Sequence, residues 1–190
     1  PEDCIQWIEY PSLEATNTLM NHPGVALILA TGGAGMVRAA YTTGKPALGV
    51  GPGNVPCFIE KTANIERACN DLMLSKTFDN GMICASEQAV IVEKELQAPF
   101  EKYMKENSCY FLNEEETKKL TAYAFPEGKT SVNAEIVGKP APWIAERAGL
   151  KVPEDTKILI ARLKGVGEKY PLSKEKLSPI LAYYVVKDQE

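Results

Sequence analysis

Two rhythms of apolar residues alternate along the chain. Continuous apolar runs occur at VALILA (Val25 to Ala30), KPALGVG (Lys45 to Gly51), PCFIE (Pro56 to Glu60), QAVIVE (Gln88 to Glu93), TKILIA (Thr156 to Ala161) and ILAYYVV (Ile180 to Val186). Such runs suit strands covered on both faces by helices, where neither face is left polar. Between them, Ile65, Ala68, Cys69, Leu72 and Met73 follow the i, i+3, i+4, i+7, i+8 spacing of one helix face. Leu96, Phe100, Tyr103 and Met104 share a side of a second helix, which covers KELQAPFEKYMKEN. Ser12 is placed to cap a helix over SLEATNTLMNH that Pro23-Gly24 ends, and GMVRAAYTTG reads as a helix closed by Gly44. Asn113, with Glu116 three residues on, is a capping-box signature for a short helix to Tyr123. A last helix is expected around APWIAERAG, a polar loop from Lys164 to Lys176, and a break of the Ile65 helix at the FDNG turn. This alternation predicts an α/β fold of mostly parallel sheets flanked by helices, its first βαβ unit crossing over right-handed. Glycine and proline cluster at GPGN (Gly51 to Asn54), which sets the expected domain boundary: 1–54 and 55–190.

A chain of 190 residues, 45% hydrophobic and 24% charged, can bury a core as one medium domain or two small ones. Its net charge of −4 and scattered basic residues give no footprint for a polyanion, so neither nucleic acid nor an anionic membrane is an expected partner. The apolar stretch GVALILA falls far short of the roughly 20 residues that span a bilayer, and the acidic start PEDC is unlike a secretory signal. A cytoplasmic setting is expected. Five cysteines without a Cys-x-x-Cys pair, and one histidine, His22, lack what a disulfide framework or a zinc site needs. Free thiols and no metal are expected. The chain opens in mid-pattern and stops directly after a strand-like run, so it reads as a piece of a longer protein.

Two stretches carry candidate chemistry. In FDNGMICASEQ (Phe78 to Gln88), Cys84 follows a turn containing Gly81 and precedes the small residues Ala85 and Ser86, whereas Cys57 and Cys69 lie in packed elements and Cys4 and Cys109 read as structural. A loop thiol that another group can approach is either a nucleophile or an incidental cysteine, and position alone does not choose. In ATGGAGMVRAA (Ala30 to Ala40), a strand runs through glycines into a helix, the arrangement that brings a dinucleotide close to helix N–H groups. The spacing departs from G-x-G-x-x-G, and glycines easing a strand into a helix explain it equally well.

Taken together, ATGGAGMV, GKPALGVGPGN, SKTFDNGMICASEQ and EKLSPILA resemble, in order and spacing, the CoA-acylating aldehyde dehydrogenases. The similarity is strongest to the aldehyde dehydrogenase half of the bifunctional aldehyde-alcohol dehydrogenases and extends over the whole chain. It implies an aldehyde dehydrogenase-like fold, with 1–54 the C-terminal part of a Rossmann-like NAD-binding domain and 55–190 an incomplete catalytic domain. It implies acetyl-CoA and acetaldehyde as substrates, NAD(H) as cofactor and coenzyme A as co-substrate. The cysteine at the Cys84 position of the family attacks the aldehyde carbon, and the resulting thioester passes its acyl group to CoA. Thr31, Gly32, Gly33 and Met36 fall where the family contacts the dinucleotide, Glu175 where a carboxylate binds the nicotinamide ribose, and Leu177 where an apolar side chain packs near the ring.

Hydrolytic relatives carry a glutamate that drives water onto the thioester. The matching segment here, Val50-Gly51-Pro52-Gly53, puts Val50 in its place, which implies acyl transfer to CoA; completion of a buried strand explains Val50 as well. Lys174 stands where bifunctional relatives often have histidine, and His22 reads as a capping or surface residue. The resemblance further implies a homo-oligomer, with filaments in the parent, and an isolated fragment with little activity, since the family's oxyanion asparagine matches no residue of this chain. Two rival readings keep the fold: a hydrolytic aldehyde or semialdehyde dehydrogenase, and an assembly scaffold.

Overall fold

Ser12 starts the first helix as the pattern predicts, its Oγ accepting the Ala15 N–H at 3.0 Å. In this computed structural model, residues 4–129 and 131–188 are described. Pro1 to Asp3 of the acidic PEDC start lie outside them. The chain divides into two units, Pro1–Pro52 and Gly53–Glu190.

The first unit holds α1 (Leu13–Asn21), β1 (Ile28–Thr31), α2 (Ala34–Thr42) and β2 (Ala47–Val50). The two strands pair in parallel, in register from Ile28 opposite Ala47 to Thr31 opposite Val50. Met20, Ile28, Ala30 and Ala40 form its core. The expectation of strands buried on both faces is corrected here. The helices pack on the Ile28 and Ala30 side, so the period-2 alternation of side chains leaves Leu29 74% and Val50 52% exposed within this unit.

In the second unit, β3 (Val55–Ile59), β4 (Glu87–Glu93), β5 (Cys109–Leu112), β6 (Ile158–Arg162) and β7 (Ile180–Val186) form one parallel sheet of order β3-β4-β7-β6-β5. Around it pack α3 (Ile65–Thr77), α4 (Gln97–Glu106), α5 (Glu114–Ala124) and α6 (Ala141–Arg147). Alternation along β6 divides the core. Ile158 and Ile160 join Leu72, Phe100 and Met104 of α3 and α4, whereas Leu159 and Ala161 join Leu120 and Ile144 of α5 and α6. Each sheet face therefore meets one helix pair, which is why the strand sequences read as continuously apolar. The capping box forms: Asn113 Oδ1 accepts the Glu116 N–H, and Glu116 Oε2 accepts the Asn113 N–H, both at 2.9 Å. Tyr183 lies at the centre, its ring stacked 5.2 Å from Phe100 and its hydroxyl donating to Glu101 at 3.1 Å.

Candidate active site

The break at FDNG is a tight reversal rather than a simple helix end. Asp79, Asn80 and Gly81 all take positive φ, 47°, 51° and 68°. Glycine is required at the third of these. A Cβ there would lie 2.8 Å from the Ser178 carbonyl oxygen and 2.9 Å from that of Lys76, closer than real Cβ contacts come. This approach ties together the end of α3, the turn and the segment entering β7. A short turn, closed by the Ser86 N–H donating to the Ile83 carbonyl at 3.0 Å, then presents Cys84 exposed ahead of β4.

Two distant segments meet at the main chain of Cys84. A Cβ placed on Gly53 would meet the Cys84 carbonyl oxygen at 3.3 Å and Glu175 Oε1 at 3.7 Å, and the Gly53 N–H donates to that same carboxylate oxygen at 3.1 Å. Cys84 and Glu175, 91 positions apart in sequence, thus meet at one glycine. Leu177 lies two residues after Glu175. Its φ of 47° is a conformation a branched side chain rarely adopts, and its carbonyl accepts the Gly138 N–H at 3.0 Å. Gly138 in turn accepts from Asn80 Nδ2 at 3.0 Å, so one residue holds both the turn before the thiol and the segment after the carboxylate.

The polar loop expected from Lys164 to Lys176 is corrected at its end, because Lys176 is fully buried. Its Nζ donates to the carbonyls of Gln88, Leu172 and Lys174 at 3.0, 2.8 and 2.7 Å. Lys174 instead pairs with Glu168, and Glu175 is half-buried rather than a freely solvated charge. A second lysine is sealed in. Lys76 is 0% exposed, and its Nζ makes no hydrogen bond among the described residues. The sequence did carry a signal for it, since Lys76 lies four residues after Leu72 and three after Met73, on the buried face of α3.

Burial pushes the Lys76 ammonium down to about 7, with Glu87 and Glu175 opposing. An unfolded chain keeps that proton up to about pH 10.5, so between these values the folded state binds fewer protons and stability rises with pH. The buried thiols Cys69 and Cys109 are pushed up to about 12 from 9.0, and they subtract stability only as pH passes about 9. The unfolding free energy of the chain, and with it the urea midpoint, is therefore expected to climb from pH 7 to pH 9, Lys76 contributing up to about 1.4 kcal/mol per pH unit. Lys76→Met should shrink this rise. A wild-type midpoint that is flat or falls across the window contradicts it.

Of the other thiols, Cys57 is half-buried and Cys4 exposed, so the reading of Cys4 as structural is corrected to a surface thiol. His22 ends α1 as expected, its Nδ1 accepting the Gly24 N–H at 3.1 Å.

In the first unit, Thr31 ends β1 and the Gly32 N–H donates to the Val50 carbonyl at 3.0 Å. Gly33 caps α2 without a side chain, and a Cβ on either Gly33 or Gly35 would meet nothing within 4 Å. The first-turn N–H groups of α2 are thereby approachable, as an anionic phosphate requires. Thr31 and Met36 line a cavity of about 420 Å³ with Leu19, Met20 and Ile28. Gly51 stands in open space.

Comparison with known proteins adds the following. The profile of the aldehyde dehydrogenase family matches residues 1–112. The aldehyde-alcohol dehydrogenase of Streptococcus pneumoniae serotype 4 is 57% identical over 189 residues, covering 96% of this chain and 21% of that protein. The crystal structure of an acetylating aldehyde dehydrogenase from Geobacillus thermoglucosidasius superposes with a TM-score of 0.90 at 52% identity, covering 94% of this chain and 39% of the other. A propionaldehyde dehydrogenase from Rhodopseudomonas palustris, solved with bound CoA and an acylated cysteine, superposes with a TM-score of 0.84 at 32% identity, over 95% of this chain and 40% of that one. The chain thus spans about a fifth of the length of the aldehyde-alcohol dehydrogenases it matches and two fifths of these structures.

Proposed function

Since the chain belongs to the aldehyde dehydrogenase family, we propose that its parent protein interconverts acetyl-CoA and acetaldehyde with NAD(H) through a thioester on Cys84. The observation that carries this reading is that the main chain of Cys84, whose side chain is exposed, and the Glu175 carboxylate meet at Gly53 within one unit. In the acylation step, the Cys84 thiolate attacks the carbonyl carbon of acetyl-CoA. A bond from Sγ to that carbon forms, the carbon–sulfur bond to CoA breaks, and the CoA thiolate leaves and takes up a proton. A thioester replaces a thioester, so the carbonyl stays activated. The backbone N–H of Cys84 donates to the oxyanion as it develops.

The bound cofactor supplies the hydride that turns the acyl group into aldehyde, or takes it up in the reverse direction. In the first unit, Thr31, Gly32 and Gly33 lie beside the approachable first turn of α2, and with Met36 they suit the cofactor's phosphates. In the second, the resemblance assigns Glu175 to hold the ribose hydroxyls and Leu177 to pack near the nicotinamide ring when the cofactor is bound. A carboxylate has about four acceptor positions, so the single bond from Gly53 leaves room for a diol. Val50 offers no carboxylate for activating water, and Gly51 follows it in open space. The acyl-enzyme then waits for a thiol acceptor, whose thiolate needs no base. Residues 1–54 belong on this reading to the cofactor-binding domain and 55–190 to the catalytic domain.

Product analysis of the full-length parent tests the assignment. With acetaldehyde and NAD, acetyl-CoA should form only when CoA is added, and acetate should not accumulate in its absence. Steady acetate formation without CoA would establish the hydrolytic alternative.

A further inference from the structure

We propose that Lys176 is a positioning residue: its buried ammonium and its main-chain amide, both held by Gln88, fix Glu175 in one register against the turn that carries Cys84. The inference rests on the reading of Glu175 as the ribose-binding carboxylate. The geometry is specific. An ammonium has three N–H donors, and Lys176 Nζ spends all three on the carbonyls of Gln88, Leu172 and Lys174. A neutral amine has only two donors and would turn a lone pair toward one of these oxygens. The charged form therefore fits the cage. Burial and the nearby Lys76 charge push the lysine's pKa well down, and Glu175 works against them.

The cage grips residues 172, 174 and 176 around one atom, and Glu175 lies inside that span. The Lys176 amide adds a fourth tie, donating to Gln88 Oε1 at 3.0 Å. Gln88 reaches the other way as well, its Nε2 donating to the Ser86 carbonyl at 3.2 Å, two residues beyond Cys84. A continuous path of contacts thus runs from Cys84 through Ser86, Gln88 and Lys176 to Glu175, and Gly53 closes it by donating to the Glu175 carboxylate. Sealing a cation in the interior costs several kcal/mol, and an apolar side chain of similar volume often serves stability as well or better. Register between the carboxylate and the sulfur is what the charged residue adds.

Lys176→Met in the full-length parent provides the test, read by two separate measurements. NADH binding, followed by fluorescence titration, should weaken about tenfold, equivalent to roughly 1.4 kcal/mol. Acylation of Cys84 by acetyl-CoA without NADH, followed by CoA thiol release, should stay within about threefold of wild type, because that half-reaction does not use Glu175. Gln88→Leu cuts the amide tie and the link to Ser86 but keeps the lysine. It should weaken NADH binding by about threefold, and it decides the question if Lys176→Met does not accumulate as folded protein. Equal loss of both readouts, in step with a fall in melting temperature, overturns the proposal and leaves Lys176 a purely structural residue. So does unchanged NADH binding in both variants while Glu175→Gln weakens it. If Glu175→Gln itself leaves NADH binding unchanged, the ribose-binding reading of Glu175 is what fails.

Discussion

Cys84→Ala in the full-length parent should lower NADH-dependent reduction of acetyl-CoA by roughly 10⁴-fold or more, the scale seen when a covalent nucleophile is removed. On the proposed mechanism the thioester forms on that sulfur, and none of the other four thiols of this chain is placed to replace it. Cys69 and Cys109 are buried in the core and Cys57 is half-buried in β3, while Cys4 is exposed but belongs to the other unit. Stability should hardly change, because exposed side chains away from packing features contribute within about 0.5 kcal/mol. Mass spectrometry gives the second readout. Wild-type protein incubated with acetyl-CoA and no NADH should carry one acetyl group, and the variant none. Retained turnover in Cys84→Ala would remove the thioester from the mechanism and favour the scaffold reading.

The second large effect is expected from Gly81→Ala. At φ 68° an alanine costs about 1–2 kcal/mol in the left-handed region alone. Its methyl would also press on the Ser178 and Lys76 carbonyl oxygens at 2.8 and 2.9 Å, both main chain and neither able to swing away. Overpacking of this kind adds about 1–3 kcal/mol. The turn has to shift, and it carries the thiol. Misplacement by about 1 Å costs on the order of 10²-fold in rate, so the variant should lose both stability and Cys84 acylation. Gly128→Ala is the control, with a similar φ of 78° but open space around the new methyl. It should show only the backbone penalty and normal acylation. Equal behaviour of the two variants would exclude the clash as the cause.

The sequence made the helices and strands legible because each agrees locally with the whole. The stripe from Ile65 to Met73 faces the core, Ser12 and Asn113 cap where they should, and each apolar run overlaps a strand, with β1, β3, β4 and β6 each overrunning theirs by one residue. The approach of Cys84 to Glu175 was reached only through resemblance, since periodicity carries no information about which distant loops meet. Nor does residue type mark Lys76 or Lys176 as buried. A lysine ordinarily signals solvent, and only the helical position of the first, or the cage of carbonyls around the second, reverses that expectation. The exposure of Leu29 and Val50 was illegible for a different reason: an apolar run specifies that a strand should be covered, without naming the residues that cover it.

The bond pair at Gly138 has a practical consequence for anyone exchanging parts between acylating enzymes. The stretch from Phe125 to Pro140 bears none of the proposed reacting groups and looks like a free splice site, yet its C-terminal end fastens Asn80 on one side and Leu177 on the other. Grafting a longer or shorter connection there would re-aim the sulfur without altering any residue that meets substrate. Chimeras cut after Lys139 should keep their aim, and those cut before it should depend on preserving the length of the replaced loop.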